Sequence, residues 1–195
     1  GEQTVTPAMQ FMRSAPSSQV YRVHLVQPAL ISDYAKVLDY ARNGFEVTRG
    51  LGSEFAIQTY QRYLDAIGPG TYKMLGPLNT KYVISNSEIP NLEGLQLERA
   101  FPDGTYLYLN TFYIGRLWTT YRAILVAGED QAFWENKTIE LLQNPSFNPQ
   151  KALLLRGRFV DDFTIGALRK FDVICLPSLT SPPARSQLKA KELLT

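Results

Sequence analysis

Few residues in this chain have the side-chain types and the spacing that catalysis, metal binding or nucleotide binding requires. His24 is the only histidine among 195 residues, which excludes a metal site built from several histidines. The adjacent carboxylates Asp161 and Asp162 stand where a helix is predicted to start, and a carboxylate at that position caps the helix. Residues 50–53 (Gly-Leu-Gly-Ser) precede a helix, but they lack the third glycine and the lysine of nucleotide-binding loops. We therefore predict no catalytic residue, no metal site and no cofactor.

Cysteine content and charge exclude further classes of protein. Cys175 is the only cysteine, so the chain forms no internal disulfide and no multi-cysteine metal site. It lies in the apolar run 173–176, which favours a buried structural thiol over a reactive one. The net charge is +2, from 20 basic and 18 acidic residues that are interspersed along the chain. A nucleic-acid partner is excluded, because it needs a dense basic face.

An aromatic-rich segment is the strongest candidate for ligand contact, and its residues are Tyr106, Tyr108, Phe112, Tyr113, Arg116, Trp118 and Tyr121. Tyr106 and Tyr108 share one face of a predicted strand, and residues 110–118 are unusually apolar for a loop. One interpretation is that these side chains belong to the hydrophobic core or pack over one face of a sheet. The other is an exposed surface that contacts a glycan, a lipid head group or a membrane segment. Burial of Phe112, Tyr113 and Trp118 together would contradict the second interpretation.

A helix predicted over residues 53–67 and a strand predicted over 79–85 organise the fold. Ser53 caps the helix, and residues 68–70 (Gly-Pro-Gly) end it. Apolar side chains recur at helical spacing along one face: Ile57, Tyr60, Leu64 and Ile67. The helix is therefore built to lie on a sheet that contains the strand.

Helices and strands alternate before and after this pair. Thr6 and Pro7 start a short helix, strands are predicted at 20–26 and 45–48, and Ser32 starts a second helix. After the 79–85 strand, two more strands follow and are joined by hairpin-forming residues, Pro102, Asp103 and Gly104. We expect these three strands, within residues 79–109, to form an antiparallel meander.

The pattern changes to strand–helix–strand after residue 119. Strands are predicted at 120–127, 151–156 and 171–177, with helices at 130–143 and 162–170 between them. This alternation indicates right-handed crossovers and parallel pairing. The predicted fold class is α/β (mixed α+β), a mixed parallel/antiparallel sheet with helices packed on it.

The two ends of the sequence suggest a piece of a longer protein. No run of about 18 apolar residues is present, and the N-terminus has no basic-then-apolar leader. Residues 186–195 have the pattern of a helix that begins and then stops without a C-terminal glycine. We expect a longer parent polypeptide.

Short matches in a fixed order resemble one protein family. They lie at residues 6–12, 21–23, 78–84, 103–104, 108–110, Arg116 and 148–152. Residues 78–84 (Leu-Asn-Thr-Lys-Tyr-Val-Ile) are similar to the family's LNVKYVI and are the most specific of them. Together they resemble the extracytoplasmic region of YfhO-like bacterial polytopic membrane proteins, which are relatives of the C-type glycosyltransferases.

The resemblance also suggests how the chain is divided. It covers residues 6–156 and implies a mixed α/β extracytoplasmic domain over 1–156. Residues 168–177 resemble a strand of amidotransferase-like α/β modules. Residues 157–195 are therefore expected to be the start of such a second module, or a C-terminal extension.

The resemblance implies a non-catalytic soluble domain on the extracytoplasmic (periplasmic or outer) face of the cell membrane. Its parent would be an integral membrane protein related to lipid-linked sugar glycosyltransferases. Its partners would be the membrane-embedded remainder of the same polypeptide and a glycan or lipid-linked sugar, which it would help to bind or position. Two alternatives stay open: a fragment of an α/β hydrolase or amidotransferase-like enzyme, and a structural protein-interaction domain.

Overall fold

Two units, each with its own β-sheet, make up the fold: Gly1–Trp118 and Thr119–Thr195. The computed structural model describes residues 5–16, 19–26, 32–48, 58–120, 122–127, 130–157, 173–175 and 192–194. In the described residues, no helix is both long enough and apolar enough to cross a bilayer.

The first unit is built on a five-stranded mixed sheet. Its strands are β1 (Arg22–Leu25), β2 (Glu46–Val47), β3 (Thr80–Ser85), β4 (Leu95–Ala100) and β5 (Tyr106–Asn110). The strand order is β2-β1-β3-β5-β4, in which β2, β1 and β3 are parallel and β5 is antiparallel to β3 and β4. This confirms the predicted mixed sheet.

The hairpin of β4 and β5 is confirmed, but the strand order differs from that of a simple meander. A meander would place β4 beside β3, whereas β5 occupies that position and β4 lies at the edge. All residues of β4 after Leu95 are exposed, and Glu98 and Arg99 are charged. In contrast, Leu107 and Tyr108 of β5 are fully buried. A charged strand is favoured at a sheet edge, and the more apolar strand takes the interior position.

The first unit has three α-helices, and the first of them begins at its predicted cap. They are α1 (Pro7–Ser14), α2 (Ser32–Arg42) and α3 (Gln58–Asp65). The Thr6 side chain accepts a hydrogen bond from the amide of Met9, which caps α1 as predicted. The predicted helix over 53–67 is confirmed for 58–65, and its first residues, 53–57, lie outside the described part of the chain, as do residues 50–52.

A 3₁₀ helix over Tyr72–Leu78 precedes β3, and the sequence analysis did not predict it. It includes Gly76 and Pro77, two residues that disfavour helices. Its burial explains why it forms, because residues 72–76 are all buried. Tertiary packing therefore outweighs the local propensity.

The first sheet carries apolar clusters on both of its faces. On one face, α1 and α2 pack against β1, β3 and β5, and the buried side chains include Met9, Val37, Val23, Ile84 and Leu107. On the other face, the 3₁₀ helix and the loop before β4 pack on the alternate residues of the same strands, including Leu75, Ile89, Val83 and Tyr108. His24, on β1, is also buried.

The second unit contains a parallel sheet. Its elements are β6 (Arg122–Ala127), α4 (Gln131–Gln143), β7 (Ala152–Gly157), β8 (Val173–Cys175) and β9 (Glu192–Leu194). The strand order is β7-β6-β8-β9, and every pair is parallel. The predicted strand–helix–strand unit is confirmed by β6, α4 and β7, and Asp130 caps α4. This unit includes residues on both sides of the boundary expected at 156, and β7 pairs with β6 inside it.

The C-terminal helix predicted over 186–195 is wrong for residues 192–194. These residues form β9, whose Leu193 and Leu194 lie beside Ile174 and Cys175 of β8. A parallel ladder satisfies the backbone polar groups of this short apolar segment, and the helical pattern in the sequence does not decide its conformation. The helix predicted over 162–170, with Asp161 and Asp162, lies outside the described residues.

Candidate functional site

A cavity of about 250 Å³ opens at one end of the first sheet. Its lining residues are Thr6, Met9, Leu25, Val26, Lys36, Asp39, Tyr40, Ile84, Asn86, Asp103 and Thr105. Leu25 and Val26 are at the carboxyl end of β1, and Ile84 and Asn86 are at the carboxyl end of β3. The cavity is therefore at the point where two neighbouring parallel strands end.

The strand order makes this end of the sheet a natural place for a ligand. From β1 the chain goes through α2 to β2 on one side, and it later returns through α3 to β3 on the other side. In open α/β sheets, ligands bind outside the carboxyl ends of the strands where the direction of winding reverses. The cavity occupies that position between β1 and β3, and we call it the switch-point pocket.

The two flanks of the switch-point pocket come from α1 and from the β4–β5 hairpin. Thr6 and Met9 belong to the capped first turn of α1. Asp103 and Thr105 form the hairpin tip, where an Asp103 carboxylate oxygen accepts a 3.0 Å hydrogen bond from the amide of Thr105. Gly104 between them has a φ of 82°, a left-handed conformation that glycine adopts without strain. Because β5 is antiparallel to β3, this tip returns to the end of the sheet at which β3 stops.

One face of α2 completes the lining with Lys36, Asp39 and Tyr40, which are spaced for a shared helix face. Tyr40 is 4% exposed, and its ring packs against Phe45. Burial raises the pKa of Tyr40, and the negative charge of Asp103 raises it further. A side-chain hydrogen bond with Thr6 acts in the opposite direction and lowers the pKa. The Tyr40 hydroxyl therefore stays protonated at neutral pH and is able to donate or accept a hydrogen bond.

The lining combines an apolar floor with polar groups around it. The floor consists of Met9, Leu25, Val26 and Ile84, and the polar groups are two carboxylates, one ammonium, three hydroxyls and one amide. Such a mixture binds small molecules by burying their apolar surface and fixing their orientation with a few hydrogen bonds. Within the described residues, no group of three or more histidine, cysteine, aspartate or glutamate side chains is placed to hold a metal ion.

Among the described residues of the aromatic segment, Tyr106 and Tyr108 lie on β5, whereas Phe112, Tyr113, Arg116 and Trp118 lie in the segment that follows it. Tyr106 and Tyr108 share a strand face as predicted, with stacked rings 6.5 Å apart. Tyr108 is fully buried, and its hydroxyl accepts a hydrogen bond from the amide of Ile89. Tyr106 is half-buried, and Tyr121 lies outside the described residues. Tyr108 therefore has a packing role, which matches the first interpretation of these aromatics for that residue.

Residues 112–118 run along the opposite, amino-terminal ends of β1, β2 and β3. Tyr113 lies near Asn79 and Gln19, with side-chain hydrogen bonds of 3.4 Å to each. The guanidinium of Arg116 pairs with Glu46 of β2, which also pairs with Arg22 of β1. Arg116 thus joins the segment to the first strands of the sheet.

Part of this segment is exposed, as the contact-surface hypothesis requires. Leu117 is 93% exposed and Trp118 is 36% exposed, whereas Phe112 and Tyr113 are half-buried. Burial of Phe112, Tyr113 and Trp118 together would contradict the hypothesis, and none of the three is fully buried.

Sequence reasoning missed the switch-point pocket because its lining comes from five separate segments. The signals that pointed toward it were the capped start of α1 and the Asp103-Gly104 hairpin tip, both of which were recognised only as structural features. Comparison with known proteins adds nothing to this description: no family model, no curated protein and no solved structure matches the chain.

Proposed function

We propose that this chain is a non-catalytic glycan-binding part of a larger bacterial membrane protein, and that its first unit holds a sugar in the switch-point pocket. The parent would be related to lipid-linked sugar glycosyltransferases, and the unit would bind or position glycan on the extracytoplasmic face of the cell membrane. The observation that carries the binding role is the pocket at the carboxyl ends of β1 and β3. The membrane context is supported by the sequence resemblance of residues 6–156.

The chemistry of the lining suits a sugar ring. Hydroxyl groups of a sugar donate to carboxylates such as Asp39 and Asp103, and they accept from groups such as the Asn86 amide. The carbon faces of the ring are apolar and pack on an apolar floor, which Leu25 and Ile84 provide here. A cavity of about 250 Å³ is at the small end of ligand pockets, so one sugar unit is a better match than an oligosaccharide.

Nuclear magnetic resonance of the ¹⁵N-labelled chain tests this proposal. Glucose, N-acetylglucosamine and glucosamine are titrated, and saturable shifts are expected for amides around the pocket, including those of Val26, Asn86 and Thr105. Asn86→Ala removes one polar group from the lining and should weaken binding by about three- to tenfold. Trp118→Ala, at the other end of the sheet, is the matched control and should leave binding unchanged.

The same titration distinguishes the pocket from the aromatic segment. If Trp118→Ala abolishes binding and Asn86→Ala does not, the glycan binds at the exposed end of the aromatic segment and the pocket assignment is wrong. If no sugar produces shifts, the glycan-binding role is wrong. A chain that transfers sugar without any other protein would contradict the non-catalytic part of the proposal. A parent polypeptide without apolar spans would contradict the membrane part.

A further inference from the structure

The switch-point pocket carries an excess of negative charge. Its lining contains two carboxylates, Asp39 and Asp103, and one ammonium group, Lys36. The carboxylates come from different elements, since Asp39 is on α2 and Asp103 is at the tip of the β4–β5 hairpin. Two carboxylates that face one cavity from separate walls attract a cation placed between them more strongly than either does alone.

The local bonding leaves both carboxylates able to contact a ligand. One Asp103 oxygen accepts a hydrogen bond from the Thr105 amide, which fixes the carboxylate in the turn, and Asp103 is exposed. The hydrogen bonds that Asn43 donates to Asp39 go to the backbone carbonyl oxygen of Asp39 and not to its carboxylate. In the described residues, neither carboxylate forms an ion pair within 4.0 Å of a lysine or arginine.

Tyr40 is a buried residue of the same lining. Tyr40 is 4% exposed and lines the cavity, and burial and the negative charge of Asp103 both raise the pKa of its hydroxyl. Its hydroxyl shares a hydrogen bond with Thr6 and is protonated at neutral pH, so it adds a neutral polar group to the lining. Lys36 and Asp103 are both exposed and Asp39 is half-buried, so two carboxylates and one ammonium group border the cavity.

We propose that the switch-point pocket selects a sugar that carries an ammonium group, and that Asp39 and Asp103 bind this group. This inference rests on the proposed glycan-binding function and adds the class of sugar. An ammonium group donates charge-assisted hydrogen bonds to carboxylates, which are about twice as strong as bonds between neutral groups. An anionic sugar would meet two carboxylates and only one ammonium group, so it should be disfavoured.

Calorimetric titration with four matched sugars tests the selectivity. Glucosamine carries the ammonium group, glucose has a hydroxyl at that position, N-acetylglucosamine has a neutral amide, and glucuronate carries a negative charge. We expect glucosamine to bind about tenfold more tightly than glucose or N-acetylglucosamine and glucuronate to bind most weakly. High salt should weaken glucosamine binding and leave glucose binding nearly unchanged.

Variants assign the effect to the two carboxylates. Asp39→Asn and Asp103→Asn keep shape and hydrogen-bonding groups but remove one charge each, so each should lower glucosamine affinity toward that of glucose. Lys36→Met should raise glucosamine affinity, because it removes the one cation of the lining. Asp65→Asn, an exposed carboxylate of α3 outside the pocket, is the matched control and should change nothing.

The outcomes separate this inference from the function on which it rests. Equal affinities for glucosamine and glucose would overturn the ammonium selectivity and leave a glycan-binding pocket in place. A selectivity that survives both asparagine substitutions would overturn the assignment to Asp39 and Asp103. Absence of binding by all four sugars would overturn both proposals.

Discussion

The hydroxyl of Tyr108 accepts a 3.0 Å hydrogen bond from the backbone amide of Ile89. Tyr108 is fully buried in β5, and Ile89 is 5% exposed in the loop between β3 and β4. A buried amide without a partner is costly, so this hydroxyl fixes the loop on the second face of the sheet. Tyr108 therefore contributes to the position of the loop as well as to the apolar cluster.

Replacement of Tyr108 by phenylalanine tests this role. Tyr108→Phe keeps the ring but leaves the Ile89 amide buried without its acceptor, so the free energy of unfolding should fall by about 1–3 kcal/mol. Urea denaturation measures the change. Tyr106→Phe is the matched control, because the half-buried Tyr106 stacks on the same ring, and it should change stability by less than about 0.5 kcal/mol. Equal losses for both variants would argue against the Ile89 contact.

Asn79 closes the 3₁₀ helix with a left-handed backbone, at a φ of 59°. The side-chain amide of Asn79 donates a hydrogen bond to the backbone carbonyl of Ile114 at 3.1 Å. The backbone carbonyl of Asn79 accepts a hydrogen bond from the backbone amide of Arg22 at 2.8 Å. Asparagine is one of the few residues that tolerate this conformation, and it uses its side chain here to hold the 112–118 segment.

Two substitutions separate the backbone and side-chain contributions of Asn79. Asn79→Gly loses the side-chain hydrogen bonds but keeps a permissive backbone, so it should cost about 1 kcal/mol. Asn79→Ala also places a Cβ atom in the left-handed region and should cost about 1–2 kcal/mol more. Urea unfolding of the two variants gives this difference. If alanine and glycine destabilise equally, the left-handed backbone does not contribute as argued.

Local sequence signals predicted those elements whose ends are set by nearby residues. Thr6 and Pro7 define the start of α1, Asp130 defines the start of α4, and the Asp103-Gly104 tip defines the hairpin. In each case a side chain binds a backbone group within three residues, or a glycine permits one turn geometry. Such interactions are encoded in a few consecutive letters and are visible without a partner segment.

Elements that depend on distant contacts were not predicted. The 3₁₀ helix needs the covering sheet face, and the order of β3, β5 and β4 depends on which strand is better buried. The switch-point pocket is the extreme case, because the strand order and the hairpin direction are what place Lys36 and Asp103 around one cavity. No sequence pattern within one segment contains that information.

Gly76 of the 3₁₀ helix lies close to the backbone of Phe112. A Cβ atom added there would overlap the carbonyl oxygen of Phe112, which is backbone and has little freedom to move. Gly76→Ala should therefore lower the free energy of unfolding by roughly 1–3 kcal/mol. Gly68→Ala is the control, since a Cβ atom at Gly68 meets no heavy atom within 4 Å. Thermal or urea unfolding that finds the two variants equal would contradict the close approach.

Lys73 is the charged side chain buried most deeply in the 3₁₀ helix, at 1% exposed, with its ammonium nitrogen 4.0 Å from a carboxylate oxygen of Glu93. Burial lowers the pKa of Lys73, and the Glu93 charge opposes this only in part. The folded protein therefore releases this proton at a lower pH than the unfolded chain does. Between the lowered pKa and the ordinary value of 10.5, the unfolded state holds more protons. The free energy of unfolding contributed by Lys73 thus rises with pH across that window.

Lys73→Met removes this pH dependence and keeps most of the buried volume. The variant should be more stable than the original chain at neutral pH, by roughly 1 kcal/mol, because a methionine has no charge to desolvate. The advantage should shrink as pH rises toward 10.5, where the unfolded lysine also becomes neutral. Urea unfolding of both proteins from pH 7 to pH 10.5 measures the difference, in which the titration of the tyrosines cancels.

Glu93→Gln should act in the opposite direction and lower stability at neutral pH, because it removes the charge that favours protonated Lys73. A Lys73→Met variant that is less stable at pH 7, with a deficit that grows as pH falls, would mean that the lysine is buried in its charged form at a net gain.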